Sequence, residues 1–305
     1  MSSPRPLAFS VTGLHKHFEG VTVLRDVTVS IPAGTTAAVV GPPGSGKTTF
    51  VRLLLGLLEP SSGSVVVGDP KTGAKIGAML QPRGLHPLRT VRGQLRVYAA
   101  ATGVSDDRVD TLLALTRLPA DMRVRELSPG MQTRLALAVA LLGDPPLLVL
   151  DDPLTGLDAA ERGWLTEFLR GHARRGGSVL LTSQSLAAVL PVADQLIVLG
   201  AGSVVYQGSP RRLRRSHPDR LLVGASSPIA LATTLAAQGF TDTVMRSDGR
   251  LAIAEATRAD IEAAADTARV RLTEMIPEPV HPDRVLATLT KTAAPVPASP
   301  YGALR

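Results

Sequence analysis

The chain has 305 residues, 44% hydrophobic and 19% charged, which supplies a sizeable core and excludes a disordered chain. Cysteine is absent, so disulfide scaffolds, thiolate metal sites and cysteine nucleophiles are excluded together. The net charge is +7, but lysine occurs only at 16, 47, 71, 75 and 291, so arginine carries the surplus. Aromatics at 3% offer little for base stacking, and no nucleic-acid partner is expected. No apolar run approaches the ~18 residues of a membrane-spanning helix. The opening MSSPRPLAFS lacks the basic head and apolar core of a signal peptide, so a soluble, cytoplasmic protein is expected.

In chain order, LAFSV, VTVLRDVTVSI and TTAAVV read as strands, the last two separated by Pro32-Ala33-Gly34. The strand Thr36 to Val40 runs into a glycine loop and then the apolar helix FVRLLLGLL, a parallel α/β pattern. Residues 88 to 120 carry helical spacing at Leu95, Val97, Tyr98, Leu112, Leu113 and Leu115. Ser128 reads as the N-cap of a helix through Leu142, stopped by Gly143. A buried strand LLVLD, a helix near Glu161 to His172 and a strand from Val179 to Thr182 follow. A charged boundary at 210 to 220, PRRLRRSHPDR, precedes a βαββαβ order in which Thr257 and Asp260 open the second helix. The stretch from 291 to 305 reads as a flexible tail.

Gly41-Pro42-Pro43-Gly44-Ser45-Gly46-Lys47-Thr48 fits the phosphate loop G-x-x-x-x-G-K-[ST], with Thr49 beside it in the first helical turn. Glycines let successive backbone N–H groups point at phosphate oxygens, helped by the N-terminus of the following helix. Lys47 is expected to reach the β- and γ-phosphates, and the Thr48 hydroxyl to ligate Mg²⁺. The strand from Leu147 ends in Asp151, whose carboxylate can hold Mg²⁺ in the manner of a Walker B motif. Taken alone, Asp151 reads as an acidic cap of the following turn; beside a phosphate loop the metal role takes precedence.

Leu127-Ser128-Pro129-Gly130-Met131-Gln132 resembles the LSGGQ signature of ABC-transporter nucleotide-binding domains. The resemblance extends to Gln81 at the Q-loop position, Thr155-Gly156-Leu157-Asp158 at the D-loop, and Phe18, 29 residues before Lys47, where the family stacks an aromatic on adenine. It implies a P-loop ABC-type ATPase domain over 7–215 with an inserted helical subdomain. A small α+β ferredoxin-like domain at 221–290 and the tail 291–305 complete the expected organisation. It also implies ATP and Mg²⁺ as ligands, with Gln81 touching the metal and the attacking water. Ser128 and Gly130 would face the ATP of a second ATPase chain in a homo- or heterodimer. More loosely, the chain is similar to ATP-binding subunits of bacterial exporters of the daunorubicin-resistance type. These work at the cytoplasmic face of the membrane through a separate permease gripped by a segment like LHPLRTVRGQLRVYAAATG, and the substrate is a drug, antibiotic or lipid-like molecule.

Two catalytic positions depart from that pattern. The general base after the Walker B Asp is normally Glu and here is Asp152; the switch His is here Gln184, and the histidines at 15, 17, 86, 172, 217 and 281 cannot fill its place. Asp is shorter than Glu by one C–C bond, roughly 1.5 Å. Gln184 can donate a hydrogen bond to phosphate but cannot carry a proton at neutral pH. ATP binding is expected to survive and hydrolysis to be slow. That suits a degenerate member that lends its signature to a competent partner, or a homodimer with two slow sites; a regulatory subunit that signals by ATP occupancy is the alternative function.

Overall fold

The computed structural model describes residues 6–68 and 75–291; the expected tail, apart from Lys291, lies outside the described residues. The first elements are β1 (Leu7–Phe18), β2 (Val21–Pro32), β3 (Thr36–Val40), α1 (Lys47–Leu54) and β4 (Ser62–Val67). β1 and β2 form an antiparallel hairpin around Glu19 and Gly20, both at positive φ, and β4 pairs on the other side of β1. β1 is longer than its apolar stretch LAFSV indicates because it continues, through bulges, to Phe18.

The helical insertion follows β5 (Ile76–Met79) and comprises α2 (Val91–Thr102), α3 (Asp106–Thr116) and α4 (Pro129–Ala140). The helical pattern expected over 88 to 120 is two helices, divided at Gly103, which takes a left-handed φ of 68° as the cap of α2. Leu95 and Leu112 are fully buried, whereas Val97 and Leu115 are 44% and 45% exposed and lie off the core stripe.

β6 (Leu147–Leu150), α5 (Ala159–Arg174), β7 (Ser178–Ser183), α6 (Leu186–Val189), β8 (Gln195–Gly200) and β9 (Ser203–Gly208) complete the larger sheet. Its order is β5-β6-β7-β3-β8-β9, parallel throughout except for the β8–β9 hairpin at the edge. β3, β6 and β7 are buried along their whole length, as strands covered on both faces must be. The charged boundary expected at 210 to 220 is partly helical. It contains α7 (Pro210–Ser216), in which Leu213 is buried while Arg211, Arg212, Arg214 and Arg215 stay exposed.

Two compact units divide the chain: the described residues up to Pro210 with those from Leu286 on, and Arg211–Val285. The smaller contains β10 (Arg220–Ala225), α8 (Pro228–Ala237), β11 (Thr243–Met245), β12 (Leu251–Ala254), α9 (Arg258–Ala268) and β13 (Leu272–Glu278), with α10 (Pro282–Lys291) after it. Its sheet order β11-β12-β10-β13 is wholly antiparallel, and Val223, Leu251 and Ile253 pack against Leu231, Leu235 and Ile261.

In the larger unit Phe50 of α1 meets Phe9 of β1 edge to face, ring centres 6.4 Å apart, and both are 1% exposed. Phe50→Ala should therefore cost about 3–5 kcal/mol in urea unfolding; a loss below about 1 kcal/mol would show that α1 is not anchored there.

Candidate nucleotide site

The carboxyl ends of four adjacent parallel strands meet in one place, as ligand sites of open α/β sheets do. β5 leads to Gln81, β6 to Asp151 and Asp152, β7 to Gln184, and β3 to the glycine loop. The loop's tight path dictates its glycines. A Cβ on Gly41 would strike the Leu199 carbonyl and Ser45, and Gly46, at φ 99°, is pressed against the Leu24 side chain. The Ser45 N–H donates to the Pro42 carbonyl (3.2 Å), and Phe50 N–H to Gly46 (2.8 Å) starts α1. Pro43 and Gly44 form the exposed crest, and Thr49 is half-buried in the first turn of α1.

Lys47 is 9% exposed and curls back over the loop, its Nζ donating to the carbonyls of Gly41 and Pro42 at 2.8 Å each. Burial pushes its pKa down, and the charges of Asp152 and Asp151 push it back up. Asp151, 4% exposed, accepts from Thr48 Oγ1 at Oδ2 (3.0 Å) and from Thr182 Oγ1 at Oδ1 (2.6 Å). Thr182 in turn accepts the Asp152 N–H at 2.9 Å. Asp152 sits at φ 50°, and its Oδ1 is buried without a hydrogen-bond partner. A hydroxyl and a carboxylate side by side at the mouth of a phosphate loop are oxygen donors of the kind Mg²⁺ takes, so the residues fit a magnesium–nucleotide complex.

Gln81 and Gln184 are both exposed beside this cluster. Gln184 follows Ser183, whose carbonyl accepts the Gly41 N–H at 3.3 Å and ties β7 to the root of the loop. Phe18, from the separate antiparallel sheet, lies half-buried with the Lys16 ammonium 4.7 Å from its ring centre. Ser128 caps α4, accepting from Met131 N–H at 3.2 Å, and Gly130 is buried behind it. Asp158, expected in the D-loop, caps α5.

Three contributors escaped sequence reasoning. Thr182 could have been noticed as a polar residue in an otherwise apolar strand. Arg83 donates to the Pro129 carbonyl at 3.5 Å; its Nε is buried without a partner, and burial lowers its pKa against the opposing charge of Asp152. Glu161 closes a capping box with Asp158 and reaches Ser128; its only trace is the spacing of three from Asp158.

Comparison with known proteins agrees with this geometry. The family model described as ABC transporter matches residues 24–155. The Nod factor export ATP-binding protein I of Rhizobium leguminosarum bv. viciae is 38% identical over 221 residues, covering 68% of this chain and 71% of that protein. The protein of the same description from Burkholderia orbicola (strain AU 1054) is 34% identical, covering 73% and 79%. Among solved structures, one described as the ATP-binding subunit of an ABC transporter aligns with TM-score 0.61 at 27% identity, over 69% of this chain and 93% of that one. The fold is shared also with cbiO1 from Clostridium perfringens, TM-score 0.63 at 24% identity, over 70% and 92%. The chain therefore belongs to the ABC transporter ATP-binding proteins, ATPases that couple hydrolysis to transport.

Thr182→Val should leave the fold intact but remove the bond that orients Asp151 and the anchor of the Asp152 backbone, at about 1–3 kcal/mol. Magnesium-dependent ATP binding, measured by titration calorimetry, should weaken at least tenfold; unchanged affinity would mean Asp151 needs no such support.

Proposed function

We propose that this chain is the ATP-binding subunit of an exporter, pairing with a second ATPase chain at the cytoplasmic face of the membrane and driving a separate permease. In this reading 7–215 is the nucleotide-binding domain and 221–290 a ferredoxin-like accessory domain that stabilises the pair. Export is supported by the Nod factor relatives, and a lipid-like, drug or antibiotic substrate is the class that fits.

Within the site, Gly41 to Thr49 cradle the phosphates, Lys47 balances their charge, and Phe18 stacks on adenine. Thr48, Asp151 and Gln81 hold Mg²⁺, which when bound neutralises charge building between the β- and γ-phosphates. Asp152 accepts the proton of the attacking water, Gln184 donates to the γ-phosphate, and Ser128 with Gly130 serves the nucleotide of the partner chain.

The observation that carries the slow-hydrolysis part is the fixed Asp152 backbone. Its N–H is bonded to Thr182 and its φ is 50°, so the chain has little freedom to advance a side chain too short by roughly 1.5 Å. A misplacement of about 1 Å costs on the order of 10²-fold in rate. Asp152→Glu should therefore raise phosphate release by about tenfold or more while leaving MgATP affinity unchanged. Turnover that stays flat or falls would show that Asp152 is already the competent base. The same two departures, Asp152 and Gln184, favour a second reading: an ATP-occupancy sensor paired with a competent ATPase. Under that reading transport persists in an Asp152→Asn variant and transported substrate does not stimulate turnover.

A further inference from the structure

We infer that Glu161 is a positioning residue whose carboxylate holds the signature loop against phosphate, so that nucleotide-driven pairing has to displace it. The inference rests on the reading that Ser128 and Gly130 serve a nucleotide held by a second chain.

Glu161 stands in the first turn of α5 and uses both carboxylate oxygens. Oε2 accepts the Asp158 N–H at 3.3 Å, while the Glu161 N–H donates to Asp158 Oδ1 at 2.8 Å, a reciprocal cap of α5. Oε1 accepts the Ser128 hydroxyl at 3.4 Å. A Cβ on Gly130 would fall on the same carboxylate, so the glycine is what lets it lie against the start of α4. One turn further along both helices, the Arg134 guanidinium sits 4.6 Å from the Trp164 ring centre, and Trp164 stacks on Phe168. α4 and α5 are thus fastened at two successive turns, by charge at the tip and by aromatic contact behind it.

The two fasteners differ in what displaces them. The N-terminal end of α4 favours an anion, and Glu161 supplies one from the same chain. A γ-phosphate aimed at Ser128 and Gly130 meets a like charge there and must move it aside. The Arg134–Trp164 contact carries no such conflict and keeps α4 aligned while the carboxylate swings away. Glu161 is half-exposed, so its side chain has somewhere to go.

Glu161→Gln keeps the length and an acceptor oxygen but removes the charge. In the complex purified through a tag on the full chain, half-saturating MgATP for turnover should fall about 3- to 10-fold, with kcat within about twofold and the thermal midpoint unmoved. The difference should shrink as salt is raised. Half-saturation that stays or rises, or a lowered midpoint with no shift in half-saturation, would overturn the inference and leave Glu161 a helix cap. Ser128→Ala in the same preparation separates the two levels. If it behaves as wild type, the signature reading itself fails and the Glu161 role falls with it.

Discussion

Asp151 shares its carboxylate between two hydroxyls, Thr48 at 3.0 Å and Thr182 at 2.6 Å, and this one group locks three chain segments in place. Thr48 lies in the first turn of α1 just after the glycine loop, Asp151 follows β6, and Thr182 lies in β7, the strand between β6 and β3. Thr182 passes the constraint on by accepting the Asp152 N–H. The phosphate loop, the Asp151 carboxylate and the Asp152 backbone are therefore joined by one hydrogen-bond chain, buried at the Thr182–Asp151 link and partly buried at its two ends. An Asp in such a chain has both acceptor oxygens oriented before any ligand arrives, which is what pre-organisation means for a charged site.

The same rigidity gives Asp152 its consequence. In a loosely held loop a missing methylene can be recovered by a small backbone shift. Here the N–H is committed and the φ is left-handed, so the shortfall stays with the side chain. In the proposed function, binding and hydrolysis come apart on physical grounds: phosphate affinity would depend on the loop, Lys47 and Thr48, and turnover on the reach of Asp152. The signature loop is handled differently again, held from two sides by Glu161 and by Arg83 at the Pro129 carbonyl.

How much of this the sequence discloses follows from what each residue answers to. Gly41 and Gly46 were legible because backbone geometry demands glycine locally, and the apolar strands before Gly41 and Asp151 because burial on both faces erases polar alternation. The division at Gly103 was not legible because the stretch from 88 to 120 carries helical spacing on both sides of it. α7 was not legible because four arginines outweigh the single buried Leu213 in any compositional view. Arg83 and Glu161 were invisible for a different reason: their partners, Pro129 and Ser128, lie 46 and 33 residues away, and only the fold brings them together.

The central claim, that this cassette powers a permease as one of two ATPase chains, is tested most directly by the native mass and subunit count of the complex extracted intact from membranes through this chain. The account predicts a permease together with two ATPase chains, either a second copy or a different, Glu-bearing partner. Recovery of the chain without any membrane protein would contradict it.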